Sequence, residues 1–164
     1  MFFTLEKLER NTKQLKDLRY RERMEIPSFD ASTPEEEPVG KRPESVVYTG
    51  TLKKGDFWIG RGTYLWIRQS VEIPAEWVGK KIAGLFNMGK TGEGLNSGFE
   101  GLIYVNGSPY CETGSYHEEV IFPSELAGTK VELAIRLWAG LEGGGVPTQQ
   151  THPYKHAELA VLEE

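Results

Sequence analysis

From residue 46 onward the sequence is a succession of short runs rich in β-branched and aromatic residues, separated by glycine, proline, asparagine or serine. That cadence constrains the fold more than any other feature. Runs this short are strands rather than helices, and their close spacing leaves no room for the crossover helices of a parallel sheet. The runs are Val46–Gly50, Phe57–Gly60, Thr63–Ile73, Lys81–Gly89, Phe99–Gly107, Pro109–Glu112, Glu118–Phe122, Lys130–Trp138 and His156–Glu164. In Val131–Trp138, Val131, Leu133, Ile135 and Leu137 share one face, with Glu132 and Arg136 on the other. Asn106-Gly107, flanked by apolar runs, tolerates the positive φ of a two-residue hairpin turn. The pattern predicts a mainly β chain, an antiparallel β-sandwich over 46–164.

The first 45 residues read differently. Over 4–24, Leu5, Leu8, Leu15 and Leu18 recur at helical spacing, broken by Thr12, while the remaining positions are mostly charged. Such a helix needs a surface for its leucine stripe, either its own domain or a partner. We expect it to be an N-terminal docking arm. Residues 25–45 hold four prolines and the acidic triplet Glu35–Glu37, which predicts an extended, solvated linker.

Composition narrows function. The net charge of −5 and the lack of a basic cluster argue against a nucleic-acid partner. No apolar run approaches a membrane span, and the charged N-terminal decapeptide is not a secretory signal. With Cys111 as the single cysteine, a cytoplasmic setting is expected. Only three aspartates (Asp17, Asp30, Asp56) and three histidines (His117, His152, His156) are present, so no catalytic residue is assigned. His152 and His156 lie four apart, but Pro153 between them opposes a helix and no third ligand is near, so no metal site is assigned. Gly89-Lys90-Thr91 resembles the tail of a phosphate loop, and Gly84 stands at the spacing of its first glycine, but no helix pattern follows, so the segment is read as a loop between strands. Glu118-Glu119 and Glu163-Glu164 are adjacent pairs, whose members point to opposite faces of a strand.

The segment Ala139–Tyr154 is long and aperiodic, with glycines for reach and uncharged hydrogen-bonding groups suited to sugar hydroxyls or another protein's backbone. Trp138, Glu142, Gln149, Gln150, Thr151 and His152 are therefore the candidates for carbohydrate contact or domain docking. The aromatics Trp58, Tyr64, Trp66, Trp77, Tyr104, Tyr110, Tyr116 and Trp138 could include a stacking platform, although most are expected in the core.

Several stretches resemble the opening of bacterial and cytosolic glycoside hydrolase family 38 α-mannosidases. They are Phe2–Arg10, Leu18–Arg21, Phe99–Gly107, Trp138–Gly144, and Gln150–His152 with Ala157–Ala160. The strand–Asn-Gly–strand segment is also similar to the jelly-roll, galactose-binding-like domains of other glycosidases. The resemblance implies a non-catalytic accessory domain that packs on a C-terminal catalytic domain. That absent domain would hold zinc through His and Asp and use an aspartate nucleophile. A stand-alone carbohydrate-binding module for mannose-containing oligosaccharides is the alternative, and a homo-oligomer is left open.

Overall fold

The computed structural model describes residues 4–36, 40–89, 98–140 and 149–163. The chain is mainly β, with one N-terminal helix, α1 (Thr4–Leu18), and twelve strands among the described residues. These are β1 (Tyr20–Glu25), β2 (Ser28–Ser32), β3 (Tyr48–Lys53), β4 (Phe57–Gly60), β5 (Tyr64–Glu72) and β6 (Lys81–Asn87). They continue as β7 (Glu100–Val105), β8 (Ser108–Gly114), β9 (Glu119–Phe122), β10 (Lys130–Trp138), β11 (Gln150–Pro153) and β12 (His156–Leu162). A six-stranded sheet runs β3-β2-β5-β10-β7-β8, a four-stranded sheet β1-β12-β6-β9, and β11 pairs with β4 as a two-stranded ribbon. Every pairing is antiparallel. The expected sandwich is present, and all nine expected runs contain strands.

Alternation decides the inside. Leu65, Ile67 and Val71 of β5, and Val131, Leu133, Ile135 and Leu137 of β10, join the main core. From the other sheet come Ile82 and Phe86 of β6 and Ala157, Leu159 and Val161 of β12. Trp77, Phe29 and Tyr154 complete it, each 2 % exposed or less. The Asn106-Gly107 turn forms as its sequence predicts: φ is +49° and +78°, the left-handed pair of a tight hairpin between β7 and β8. The side-chain oxygen of Asn106 also accepts from Glu132 N at 2.9 Å, tying the turn to β10.

Two N-terminal expectations are corrected. The helix stops at Leu18 rather than 24, and Tyr20–Glu25 becomes the edge strand β1 paired with β12. The Tyr20 hydroxyl donates to Glu119 on β9, and Arg19 and Arg23 lie 5.6 and 5.3 Å from the Tyr20 ring centroid. Arg23 also pairs with Glu158 of β12 at 2.5 Å. A β-bulge between Arg21 and Met24, with Glu22 at φ +49°, lets these side chains cover the sheet's outer side. Nor is 25–45 a solvated linker throughout. Ile26, Phe29 and Ala31 are buried, and Ser28–Ser32 is a strand between β3 and β5. Pro43 is buried in a 3-10 turn, and Glu35 pairs with Lys41 at 2.6 Å. Charged and proline residues at the flanks of this segment hide the period-two pattern Phe29/Ala31, which only sheet pairing reveals.

Gly84 on β6 is packed closely beneath two rings of its own four-stranded sheet. A Cβ there would stand 2.5 Å from Phe122 Cε2 and 2.6 Å from Phe86 Cε2. Both rings are buried, so neither can swing away. Gly84→Ala is expected to destabilise the fold by about 1–3 kcal/mol, the cost of overpacking a filled core. Urea unfolding of the two proteins checks this, and an unchanged midpoint would show the rings to be free to move.

Candidate functional site

The sequence candidates gather around the β4–β11 ribbon, where burial alternates. On β4, Trp58 and Gly60 face inward while Phe57 and Ile59 are 62 % and 48 % exposed. Register sets His152 opposite Trp58 and Thr151 opposite Ile59. The His152 ring stacks on the Trp58 indole at 4.1 Å and 17°. The indole N–H of Trp58 donates to Met88 O at 2.7 Å. His152 Nδ1 lies 3.2 Å from Gly89 O and Nε2 lies 3.1 Å from Ala139 O. Either neutral tautomer donates to one of these carbonyls, and the imidazolium donates to both. Gly89, at φ +106°, comes so close to the Pro153 backbone that a Cβ would stand 2.6 Å from its nitrogen.

His152 is therefore a clamp, fully buried, joining the ends of β6 and β10 to the ribbon. It is not placed to touch a sugar. Thr151 and Gln149 are exposed on the ribbon and Gln150 is half-buried. Trp138 is half-buried at the end of β10, in the six-stranded sheet, so the ribbon candidates and Trp138 belong to different sheets. Glu142 and most of the segment expected to link them, together with the Lys90–Gly94 part of the phosphate-loop resemblance, lie outside the described residues.

His152 and His156 do not converge. His156 Nε2 is 3.9 Å from Glu118 Oε2, at the sheet surface. Asn87 Nδ2 donates to Glu118 Oε1 at 2.7 Å. Burial raises the Glu118 pKa above its ordinary value, opposed by the charges of His156 and Lys155 and by the Asn87 hydrogen bond. Glu119 faces elsewhere, bonded to Arg19 and Tyr20, so the adjacent carboxylates serve separate contacts. Among the described residues no group of three metal-ligating side chains comes together.

A second cluster escaped the sequence reading. On the outer face of the six-stranded sheet, Trp66, Tyr104 and Ala134 are buried together with Val46. Trp66 and Tyr104 meet at 5.3 Å between ring centroids. Arg68 lies 4.1 Å from the Tyr48 ring centroid and pairs with Asp30 at 3.7 Å. Arg136 lies 5.4 Å from the Tyr64 ring centroid and has no carboxylate partner among the described residues. The buried Trp66 Nε1 has no hydrogen-bond partner among them either. The outward positions Tyr64, Trp66 and Arg68 could have been read from strict alternation along 64–72, had the run not been apolar on both faces. Of the eight aromatics singled out, Trp58, Trp66, Trp77 and Tyr104 are buried, while Tyr110 and Tyr116 are exposed.

The helical leucines stand clear of the core. Leu5, Leu8, Leu15 and Leu18 are 76 %, 56 %, 66 % and 53 % exposed. Self-packing, one of the two readings of this stripe, is not what these side chains do. No helix among the described residues is long and apolar enough to cross a membrane.

No protein-family model and no curated protein sequence matches the chain. Solved structures do resemble it in fold. A β-glucuronidase from Ruminococcus gnavus in complex with uronic isofagomine matches with a TM-score of 0.58 at 14 % identity, over 88 % of this chain and 29 % of that one. The apo enzyme from the same organism gives 0.55 at 16 % identity, covering 88 % and 30 %. A Faecalibacterium prausnitzii β-glucuronidase gives 0.55 at 11 % identity, covering 85 % and 31 %. The chain thus spans less than a third of the length of these neighbours. The resemblance to family 38 α-mannosidases is corrected by this result, because the structural neighbours are glycosidases of another family. The expected zinc and aspartate nucleophile of a following domain belonged to that family and fall with it. The quoted residues mislead for a physical reason: Phe99–Gly107 is a strand ending in a tight turn, a solution open to any antiparallel sandwich.

Replacing His152 by Leu removes the imidazole N–H donated to one of the two buried carbonyls, or to both when the ring is charged, and the ring from the Trp58 stack. A loss of about 2–3 kcal/mol in unfolding free energy is expected, the cost of unsatisfied buried acceptors. Chemical denaturation measures it. A variant as stable as the parent would return His152 to the list of free binding groups.

Proposed function

We propose that this chain is a non-catalytic β-sandwich module of a larger glycoside hydrolase, docked to its neighbouring domain through α1. The observation that carries the reading is the fold likeness, which covers 88 % of this chain yet only 29 % of a β-glucuronidase. Two features of the chain support it. The adjacent carboxylates Glu118 and Glu119 are divided between separate contacts, Glu118 with Asn87 and Glu119 with Tyr20 and Arg19, and so do not face one bond together. The leucine stripe of α1 leaves its own sandwich and offers apolar area that water disfavours.

The purified chain is expected to leave 4-nitrophenyl β-D-glucuronide and 4-nitrophenyl α-D-mannoside intact. Release of nitrophenolate above the buffer rate would show that the chemistry resides here and end the accessory reading.

The docking role has its own test. Because both leucines face solvent, Leu8→Glu with Leu15→Glu should leave the melting temperature of the isolated chain within about 2 °C. In the longer protein the same pair is expected to cost about 3 kcal/mol, the transfer free energy of two leucines returned to water. A longer protein indifferent to the pair would remove α1 from the interface.

A second reading, a module that itself holds carbohydrate, is favoured by the half-buried Tyr64, Arg136 and Trp138 on one sheet face.

A further inference from the structure

We propose that the outer face of the six-stranded sheet around Arg136 binds a sugar ring that carries one carboxylate. Arg136 would grip the acid, with Trp138 and Tyr64 bordering the ring. The inference deepens the carbohydrate-holding reading and rests on it.

Register places the residues. Arg136 on β10 stands opposite Trp66 on β5 and Leu102 on β7. One step along the same face, Trp138 stands opposite Tyr64 and Glu100. Directly opposed side chains in an antiparallel pair have Cβ atoms about 5 Å apart, so these groups form one contiguous tile. Tyr64, Leu102, Arg136 and Trp138 are all partly open to solvent.

The cation at the centre of the tile has no ion-pair contact among the described residues. The neighbouring Arg68 shows the usual arrangement, with Asp30 at 3.7 Å and the Tyr48 ring beneath it. Arg136 has the ring beneath it, Tyr64 at 5.4 Å, but no carboxylate among the described residues. A guanidinium resting on an aromatic face presents its N–H fork in the geometry that a carboxylate accepts with both oxygens. Directly across the ladder from Arg136 the Trp66 indole is fully buried, its N–H without an acceptor among the described residues; it floors the tile and senses what sits beside it rather than touching the ligand.

The surrounding charges choose the ligand. Glu100, Glu112 and Glu132 lie around this face, opposite Trp138, opposite Leu102 and two positions beyond Ala134. These carboxylates disfavour any anionic group that is not paired directly, so an acid on this face has only Arg136 to seat on. The indole of Trp138 and the ring of Tyr64 supply apolar area for the C–H face of a pyranose. A uronate ring combines one carboxylate with such a face.

The test is a titration of the intact chain followed through its four indole N–H resonances in 1H–15N spectra. The probes are sodium D-glucuronate, D-glucose and sodium acetate. Glucuronate is expected to shift the Trp138 and Trp66 signals saturably, with glucose and acetate each at least roughly tenfold weaker. Arg136→Gln should weaken glucuronate by at least roughly tenfold, while Arg68→Gln leaves its affinity unchanged. Glucuronate no better than glucose, or an Arg136→Gln protein that binds like the parent, overturns the proposal. Either result leaves the turnover and helix-docking outcomes standing, so the failure of this site is distinguishable from the failure of the accessory-module reading.

Discussion

Two nine-residue strands, β5 and β10, lie side by side in unbroken antiparallel register, from Lys130 opposite Glu72 to Trp138 opposite Tyr64. The assignment of inside and outside follows from that ladder. Because side chains alternate with a period of two, a slip of one residue would carry Ile67 and Ile135 into water and Arg68 and Arg136 into the core. Burial of Leu65, Ile67, Val131, Leu133, Ile135 and Leu137 makes such a slip costly. The same choice of register lines up Trp66, Arg136 and Leu102 on the opposite face. Core and candidate binding face are two sides of one ladder.

The peripheral elements are secured by polar contacts laid over that frame. His152 spans from the ribbon to the backbone carbonyls at the ends of β6 and β10, with Trp58 stacked against it. Tyr20 reaches from the edge strand β1 to Glu119 on β9, flanked by Arg19 and Arg23. The hydroxyl of Tyr20 is held protonated, its pKa pushed up to about 12 first by burial and then by the neighbouring Glu119. It therefore remains a donor at neutral pH. Through β1 these contacts fix the root of α1, whose leucines then point away from the sandwich.

Much of the fold was legible in the chain because turn chemistry and alternation are local. Asn106-Gly107 states its own turn, and Val131 to Leu137 states its own face. The helix of leucines 5 to 18 was equally plain. Strands β1, β2 and β11 were not, since Tyr20–Glu25 is almost wholly polar and Ser28–Ser32 and Gln150–Pro153 have two inward residues or fewer. Such segments become strands only because a neighbour offers unpaired backbone. The candidate site was legible only in part. Of the residues named for carbohydrate contact or docking, Thr151 is exposed, Trp138 half-buried and His152 interior, and Arg136 was passed over as the polar side of a strand.

By itself the sequence determined the class of architecture, the positions of most strands along the chain, the amphipathic arm and the scarcity of aspartate, histidine and cysteine. Each of these follows from neighbours along the chain, where spacing and residue type are sufficient. Tertiary structure alone decided that His152 faces two carbonyls rather than solvent, that the proline-bearing segment feeds the six-stranded sheet, and that Arg136 sits among Tyr64, Trp66 and Trp138 without an ion-pair contact among the described residues. Those facts depend on which strands become neighbours across tens of residues. Nothing in the local pattern encodes that choice, because it is the sum of many small burial terms over the whole sandwich.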